Sequence, residues 1–94
     1  MYVVSYDITS DRRRNKIAKI LEGYGRRIQY SVFECRLTEK KYQELYRKLM
    51  QMMIETEAGS IRFYSICGTC EEKIRTIGEI PTQIGQSEDS VIVI

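Results

Sequence analysis

Few residues in this chain could do chemistry, and Asp7 is the first of them. It ends the apolar run Met1-Tyr2-Val3-Val4-Ser5-Tyr6-Asp7-Ile8. A carboxylate there can ligate Mg²⁺ or act as a general base toward a phosphodiester. By position alone, an aspartate beside Thr9-Ser10 also reads as an ordinary turn or helix-cap residue. Mg²⁺ usually takes one or two carboxylates together with waters and substrate phosphates, and a two-metal mechanism wants more acidic ligands than that. Asp11 is the one near neighbour in sequence. Catalysis at Asp7 would therefore be one-metal, with Mg²⁺ shared by the Asp7 residues of two chains meeting at a twofold axis.

Other chemistries are excluded by composition. The chain has no histidine, which removes serine–histidine triads, histidine-based ribonuclease chemistry and His-ligated zinc. Cys67-Gly68-Thr69-Cys70 is a C-x-x-C motif, but the third cysteine, Cys35, stands alone and no second pair exists to complete a zinc site. A thioredoxin-like motif is expected after an early strand of a βαβ unit. The expectation is a structural loop with free thiols. Three cysteines cannot all pair within one chain, which fits a reducing compartment.

Basic residues gather early. Arg12, Arg13, Arg14, Lys16, Lys19, Arg26 and Arg27 are seven of the fifteen Lys/Arg, with Glu22 opposing them. Residues 1 to 36 carry a net +4 and the remainder a net −2, within an overall +2. Such clustering around a helix start suits an anionic partner, because free N–H groups and the helix dipole already favour phosphate there. Guanidinium contacts to phosphate give affinity without sequence information. Tyr6, Tyr24, Tyr30, Phe33 and Phe63 could stack on bases, although a domain without Trp must bury most of them.

These residues need a frame. Residues 2 to 8 alternate as a strand, with Tyr2, Val4, Tyr6 and Ile8 on one face and Val3, Ser5 and Asp7 on the other. Thr9-Ser10-Asp11 offers N-caps to a first helix whose stripe is Ile17, Ala18, Ile20, Leu21 and Tyr24. Gly23 and Gly25 are expected to end it in the left-handed cap conformation. Residues 26 to 37 predict two antiparallel strands reversing near Tyr30-Ser31 or, since no Asn-Gly or Asp-Gly turn signal is present, a single bent strand. Thr38 caps a second helix with Tyr42, Leu45, Tyr46, Leu49, Met52 and Met53 on one stripe. A strand follows over 60 to 67, and a further short one is expected over 73 to 78. The chain finishes on Val91-Ile92-Val93-Ile94.

That order predicts an α+β, ferredoxin-like βαββαβ sandwich with an extra C-terminal strand. Ninety-four residues predict one domain, with a core over 1–67 and a C-terminal strand and tail over 68–94. The helix-free sheet face, the open edge and the apolar tail predict a homodimer in which each C-terminal segment joins the partner's sheet. With 43% apolar and 30% charged residues, no long apolar run and no signal-peptide pattern, the expectation is a cytoplasmic protein with no membrane partner. An RNA-recognition motif shares the strand order, but its Lys/Arg-Gly-Phe/Tyr-Gly/Ala-Phe-Val signature is missing.

Tyr6-Asp7-Ile8, the following Arg-Arg-Asn-Lys, the Gly-Tyr-Gly turn and Ile-Gln-Tyr-Ser-Val-Phe-Glu-Cys together resemble the CRISPR-associated protein 2 family over residues 1 to about 67. The resemblance implies a ferredoxin-like fold and a dimer with the first-strand aspartates facing across the interface. It further implies metal-dependent endonuclease activity on single-stranded RNA or double-stranded DNA. It also implies a role bridging two dimers of the CRISPR-associated protein 1 integrase while holding spacer-precursor DNA. On this resemblance Asp7 is the metal ligand and Tyr6 its catalytic neighbour. Arg14 and Arg27 match functional arginines, Phe33 matches the aromatic of Ser-Val-Phe, and Lys16 stands where some relatives carry arginine.

Two functions follow. One is a dimeric Mg²⁺-dependent phosphodiesterase, with Asp7 binding metal and Arg14 and Arg27 positioning phosphate. The other is a non-catalytic DNA-binding scaffold that spaces integrase dimers and for which Asp7 is dispensable. A more distant reading is a messenger-RNA interferase of the virulence-associated protein D type. The tail after Glu79 is a docking segment under the first two.

Overall fold

In a computed structural model that describes residues 1–54 and 58–80, the elements run β1 (Tyr2–Asp7), α1 (Asp11–Glu22), β2 (Arg26–Gln29), β3 (Val32–Cys35), α2 (Glu39–Ile54), β4 (Ser60–Ser65) and α3 (Gly68–Glu71). The four strands form one antiparallel sheet in the order β2-β3-β1-β4. With both long helices packed on its core face, this is the ferredoxin-like arrangement.

The register sorts every strand residue onto a face. Val4 pairs with Phe33 and with Phe63, and Arg27 pairs with Phe33. These residues share the helix side, together with the buried Tyr6 and Cys35. Directly paired residues lie on the same face, and alternate residues point to opposite ones. The open face therefore carries Val3, Ser5 and Asp7 of β1, Val32 and Glu34 of β3, Arg26 of β2, and Ser60, Arg62 and Tyr64 of β4.

The core is built where the sequence periodicity placed it. Ile17, Ala18 and Leu21 of α1 and Leu45 and Leu49 of α2 close over Val4, Tyr6, Ile8, Phe33 and Cys35. Burying each large aliphatic side chain contributes about 1.5–3 kcal/mol relative to exposure. Tyr42 of α2 stacks on Tyr2 at 4.2 Å between centroids and meets Phe63 edge-on at 5.8 Å, which fixes α2 across β1 and β4.

Local signals set the ends of the elements. Ser10 caps α1, its Oγ accepting from the Arg13 N–H at 3.3 Å. Thr38 does the same for α2, accepting from the Lys41 N–H at 3.2 Å. The hairpin reverses at Tyr30-Ser31, between β2 and β3, with a register shift between Arg27 and Gln29.

Three expectations are corrected. Gly23 caps α1 in right-handed geometry, at φ −79°, so no left-handed cap forms there. The glycine that matters is Gly25: a Cβ on it would lie 2.2 Å from the Glu34 carbonyl and 2.6 Å from Cys35 Sγ, so its role is close backbone approach. Residues 73 to 78 form no strand: Ile74 and Ile77 are exposed, the latter at 94%, and nothing in the sheet pairs with them. The C-x-x-C segment, expected as a loop, is one helical turn, α3. The expected strand over 91–94 lies outside the described residues.

Candidate functional site

Asp7 closes β1 on the open face, exposed, opposite Ser60. Asp7 and Tyr6 are neighbours in sequence and opposites in space. Tyr6 points into the core at 3% exposure, and its hydroxyl donates to the Tyr30 carbonyl at 3.4 Å. Burial pushes its phenol up, against the nearby Arg27 charge that pulls it down. A proton-transfer partnership between Tyr6 and Asp7 would have to cross the sheet.

Ser10 and Thr9 start the turn after β1, and Arg14 holds that turn. Its guanidinium donates to the Ile8 carbonyl at 3.0 Å and the Thr9 carbonyl at 3.4 Å, pairs with Asp11, and lies 5.7 Å from the Tyr30 ring centre. Arg27 lies 5.2 Å from the ring centre of Phe33 on the helix side. Tyr6, Arg14, Arg27 and the exposed Tyr30 thus gather at one end of the sheet, on the face opposite Asp7. Phe33 has no exposed surface, so in this conformation it packs the core and stacks on no base. Arg26 is on the open face, 3.4 Å from Glu34, across the sheet from the other basic residues.

The basic residues that the fold does unite lie along the groove between α1 and α2. One end is lined by Ser10, Arg12, Arg13, Lys16, Ile20 and Lys48. The other continues past Ile20 and Lys48 to Lys19, Arg36 and Lys41. Arg13 ties the two helices together, donating to the Met52 carbonyl at 3.2 Å. Lys48 is held 5.1 Å over the Tyr24 ring, whose hydroxyl donates to Glu44 at 2.6 Å. That hydrogen bond, aided by Lys41 and Lys48, holds the Glu44 carboxyl below its usual range. A continuous cationic groove suits a polyanion's phosphates.

Sequence reasoning missed Arg36, Lys41 and Lys48 as members of this set, because Lys41 and Lys48 join the early cluster only through the α1–α2 packing and Arg36 only through where β3 ends. It also missed Arg62, which sits on the open face diagonal to Asp7, paired with Ser5. Strand alternation counted from Ser60 could have found it.

Among the described residues, no three Cys, Asp or Glu side chains converge on a common point. Asp7 pairs across the sheet with Ser60, the Arg62 guanidinium is directed to Tyr64, donating to its hydroxyl at 3.2 Å, and Asp11 is engaged by Arg14. No helix among the described residues is long and apolar enough to cross a membrane.

Fold and site define a small ferredoxin-like α+β protein with a cationic groove on its helical side and a lone exposed carboxylate on its open sheet face. Residues 1–74 match the family model described as CRISPR associated protein Cas2. The chain is 48% identical over 80 residues to CRISPR-associated endoribonuclease Cas2 1 of Chloroflexus aurantiacus, covering 85% of this chain and 86% of that one. It is 45% identical over 93 residues to CRISPR-associated endoribonuclease Cas2 3 of Synechocystis sp., covering 99% and 98%. A chain of the solved partial Cas6-RT-Cas1–Cas2 complex superposes with a TM-score of 0.72 at 32% identity, covering 92% of this chain and 97% of that one. The chain belongs to the Cas2 family.

Proposed function

We propose that this protein binds the phosphate backbone of nucleic acid through its interhelical groove and serves CRISPR spacer acquisition as a homodimer partnered with the CRISPR-associated protein 1 integrase. The observation that carries this reading is the convergence of Arg12, Arg13, Lys16, Lys19, Arg36, Lys41 and Lys48 on one groove. Spacer-precursor DNA is the ligand it fits best, because a row of point charges along a groove reads phosphate spacing and ignores base identity. The relative that is part of a Cas1–Cas2 complex supports the integrase partnership. β4 ends the sheet with a free edge among the described residues, and an apolar segment of a second copy, such as 91–94, is the economical way to cover it.

A second reading, endonuclease on RNA or DNA, is favoured by the exposure of Asp7 and by the endoribonuclease named in the relatives. It draws on the partner's Asp7, since one carboxylate is a sparse Mg²⁺ site and a second would bring the set to the two that Mg²⁺ takes beside waters and substrate phosphates. In that reading Tyr6, Arg14, Arg27 and Phe33 act by shaping the strand and turn that present Asp7.

Charge reversal at Arg12, Lys16 and Lys48 together tests the groove. Duplex DNA affinity should fall by at least about tenfold, and the salt dependence should flatten by about 0.9 for each phosphate no longer neutralised. Unchanged binding would place the nucleic acid elsewhere. Asp7→Asn separates the two activities: it should abolish Mg²⁺-dependent cleavage while leaving DNA binding intact. Spacer acquisition that survives Asp7→Asn assigns the cellular role to binding.

A further inference from the structure

Asp7 lies apart from the C-x-x-C turn, and the groove meets it where Arg36 pairs with Glu71, yet the two thiols belong to neither and carry organised chemistry of their own. Cys67 is the extended residue before α3, at φ −71° and ψ 166°, and Cys70 lies one turn on. Both thiols are free and exposed. The Cys70 N–H donates to Cys67 Sγ at 3.3 Å, and the Glu71 N–H donates to the Cys67 carbonyl at 2.8 Å. The two residues are therefore held in a closed four-residue turn, a spacing of less than about 7 Å between Cα atoms. That is within the reach of a disulfide.

The turn is anchored on both sides. Glu71 pairs with Arg36 at the end of β3. Just before it, Ile66 exchanges hydrogen bonds with Met1: its N–H donates to the Met1 carbonyl at 2.8 Å, and the Met1 amine donates to its carbonyl at 3.2 Å. The cysteines are thus presented on a fixed base, between the sheet and the segment that leaves it.

We propose that Cys67 and Cys70 form a thiol–disulfide exchange site, with Cys67 as the attacking thiol, Cys70 as the resolving thiol, and small or protein disulfides as the class of co-reactant. The Cys67 thiolate attacks one sulfur of the incoming disulfide. A mixed disulfide forms, and one thiolate leaves and takes a proton from solvent. Cys70 gives up its proton, attacks Cys67 Sγ and expels the second thiolate. The protein dithiol loses two electrons, and the incoming disulfide gains two and becomes two thiols.

The environment assigns the order. The Cys70 backbone N–H first, and the Cys70 thiol second, hold the Cys67 thiol below the usual range, and the hydrogen bond between the two thiols pushes the Cys70 thiol up. A lower pKa gives more thiolate at neutral pH. Cys35 supplies an internal control: it is fully buried, and its thiol is pushed up to about 11.

Oxidised glutathione tests the site on the whole chain, followed by alkylation of the remaining thiols and mass measurement. Two alkylated cysteines before oxidation, none after it, and one more in each case on unfolding is the expected result. Cys70→Ser should trap a stable glutathione adduct on Cys67. Cys67→Ser should react at least about tenfold more slowly at neutral pH, in line with the loss of the readily ionised thiol. Both variants alter exposed residues, and a retained thermal midpoint shows that they fold. Reaction of Cys67 no faster than Cys70, a covalent dimer on a non-reducing gel, or persistence of two free thiols in excess oxidised glutathione would each overturn the assignment.

Discussion

Cys35 shows how one residue's surroundings become a property of the molecule. Burial first, and Glu34 second, push its thiol up to about 11. The unfolded thiol ionises near the ordinary value of 9.0. Between those two values the unfolded chain has released a proton that the folded chain keeps, so stability falls as pH rises from about 9 to about 11. Urea midpoints followed from neutral pH into that window should show the fall, and Cys35→Ala should make it shallower. Buried Tyr6 shifts in the same direction, so part of the slope should persist in the variant. Glu44 behaves in the opposite sense. The Tyr24 hydroxyl holds its carboxyl low, so its contribution is present above the unfolded pKa and lost as pH falls through the folded one. Tyr24→Phe should move the Glu44 titration upward, as read by carboxyl NMR shifts.

The glycines separate what an element needs locally from what the tertiary structure demands. Gly25→Ala would press a methyl group into the Glu34 carbonyl and Cys35 Sγ. The Glu34 carbonyl and the Cys35 Cα, 2.9 Å away, cannot retreat without moving β3, and the loss should be about 2–4 kcal/mol by denaturant unfolding. Gly68→Ala meets nothing within 4 Å and should change stability by less than about 0.5 kcal/mol. Ser10→Ala removes the cap of α1 and should cost about 1 kcal/mol. Periodicity and caps made α1 and α2 legible in the sequence, because both signals are local; the β2–β3 reversal rested on β-branched and aromatic composition alone, with no turn signal to choose it over a bent strand. The close approach at Gly25 was not legible, since it depends on β3 lying against the turn after α1. Ile74 and Ile77 misled for a related reason: β-branched residues make a strand only where an edge receives them.

At the scale of the whole molecule, the sheet divides the residues singled out from the sequence into two populations. Asp7 and Arg26 face the open side, whereas Tyr6, Arg27 and Phe33 face the helices. The alternation of β1 made the separation of Tyr6 from Asp7 readable in advance. The union of Lys48 with Lys16 required knowing that α2 lies beside α1. Lys48→Ala should therefore weaken duplex binding uniformly across sequences and reduce the salt slope by about one unit. A sequence-dependent weakening would speak against a backbone-binding groove.

The position of β1 has a consequence for how the chain is made. It precedes the other strands of its sheet in the chain and lies inside the sheet, flanked by β3 and β4. Tyr2 pairs with Cys35 on one side and Ser65 on the other, so its second neighbour arrives only after most of the chain has emerged. Such long loops must close before their contacts stabilise anything, which places folding toward the slower range for small mixed domains. Until then the Tyr2-Val3-Val4 segment keeps one edge open, a template on the nascent chain for any other extended segment.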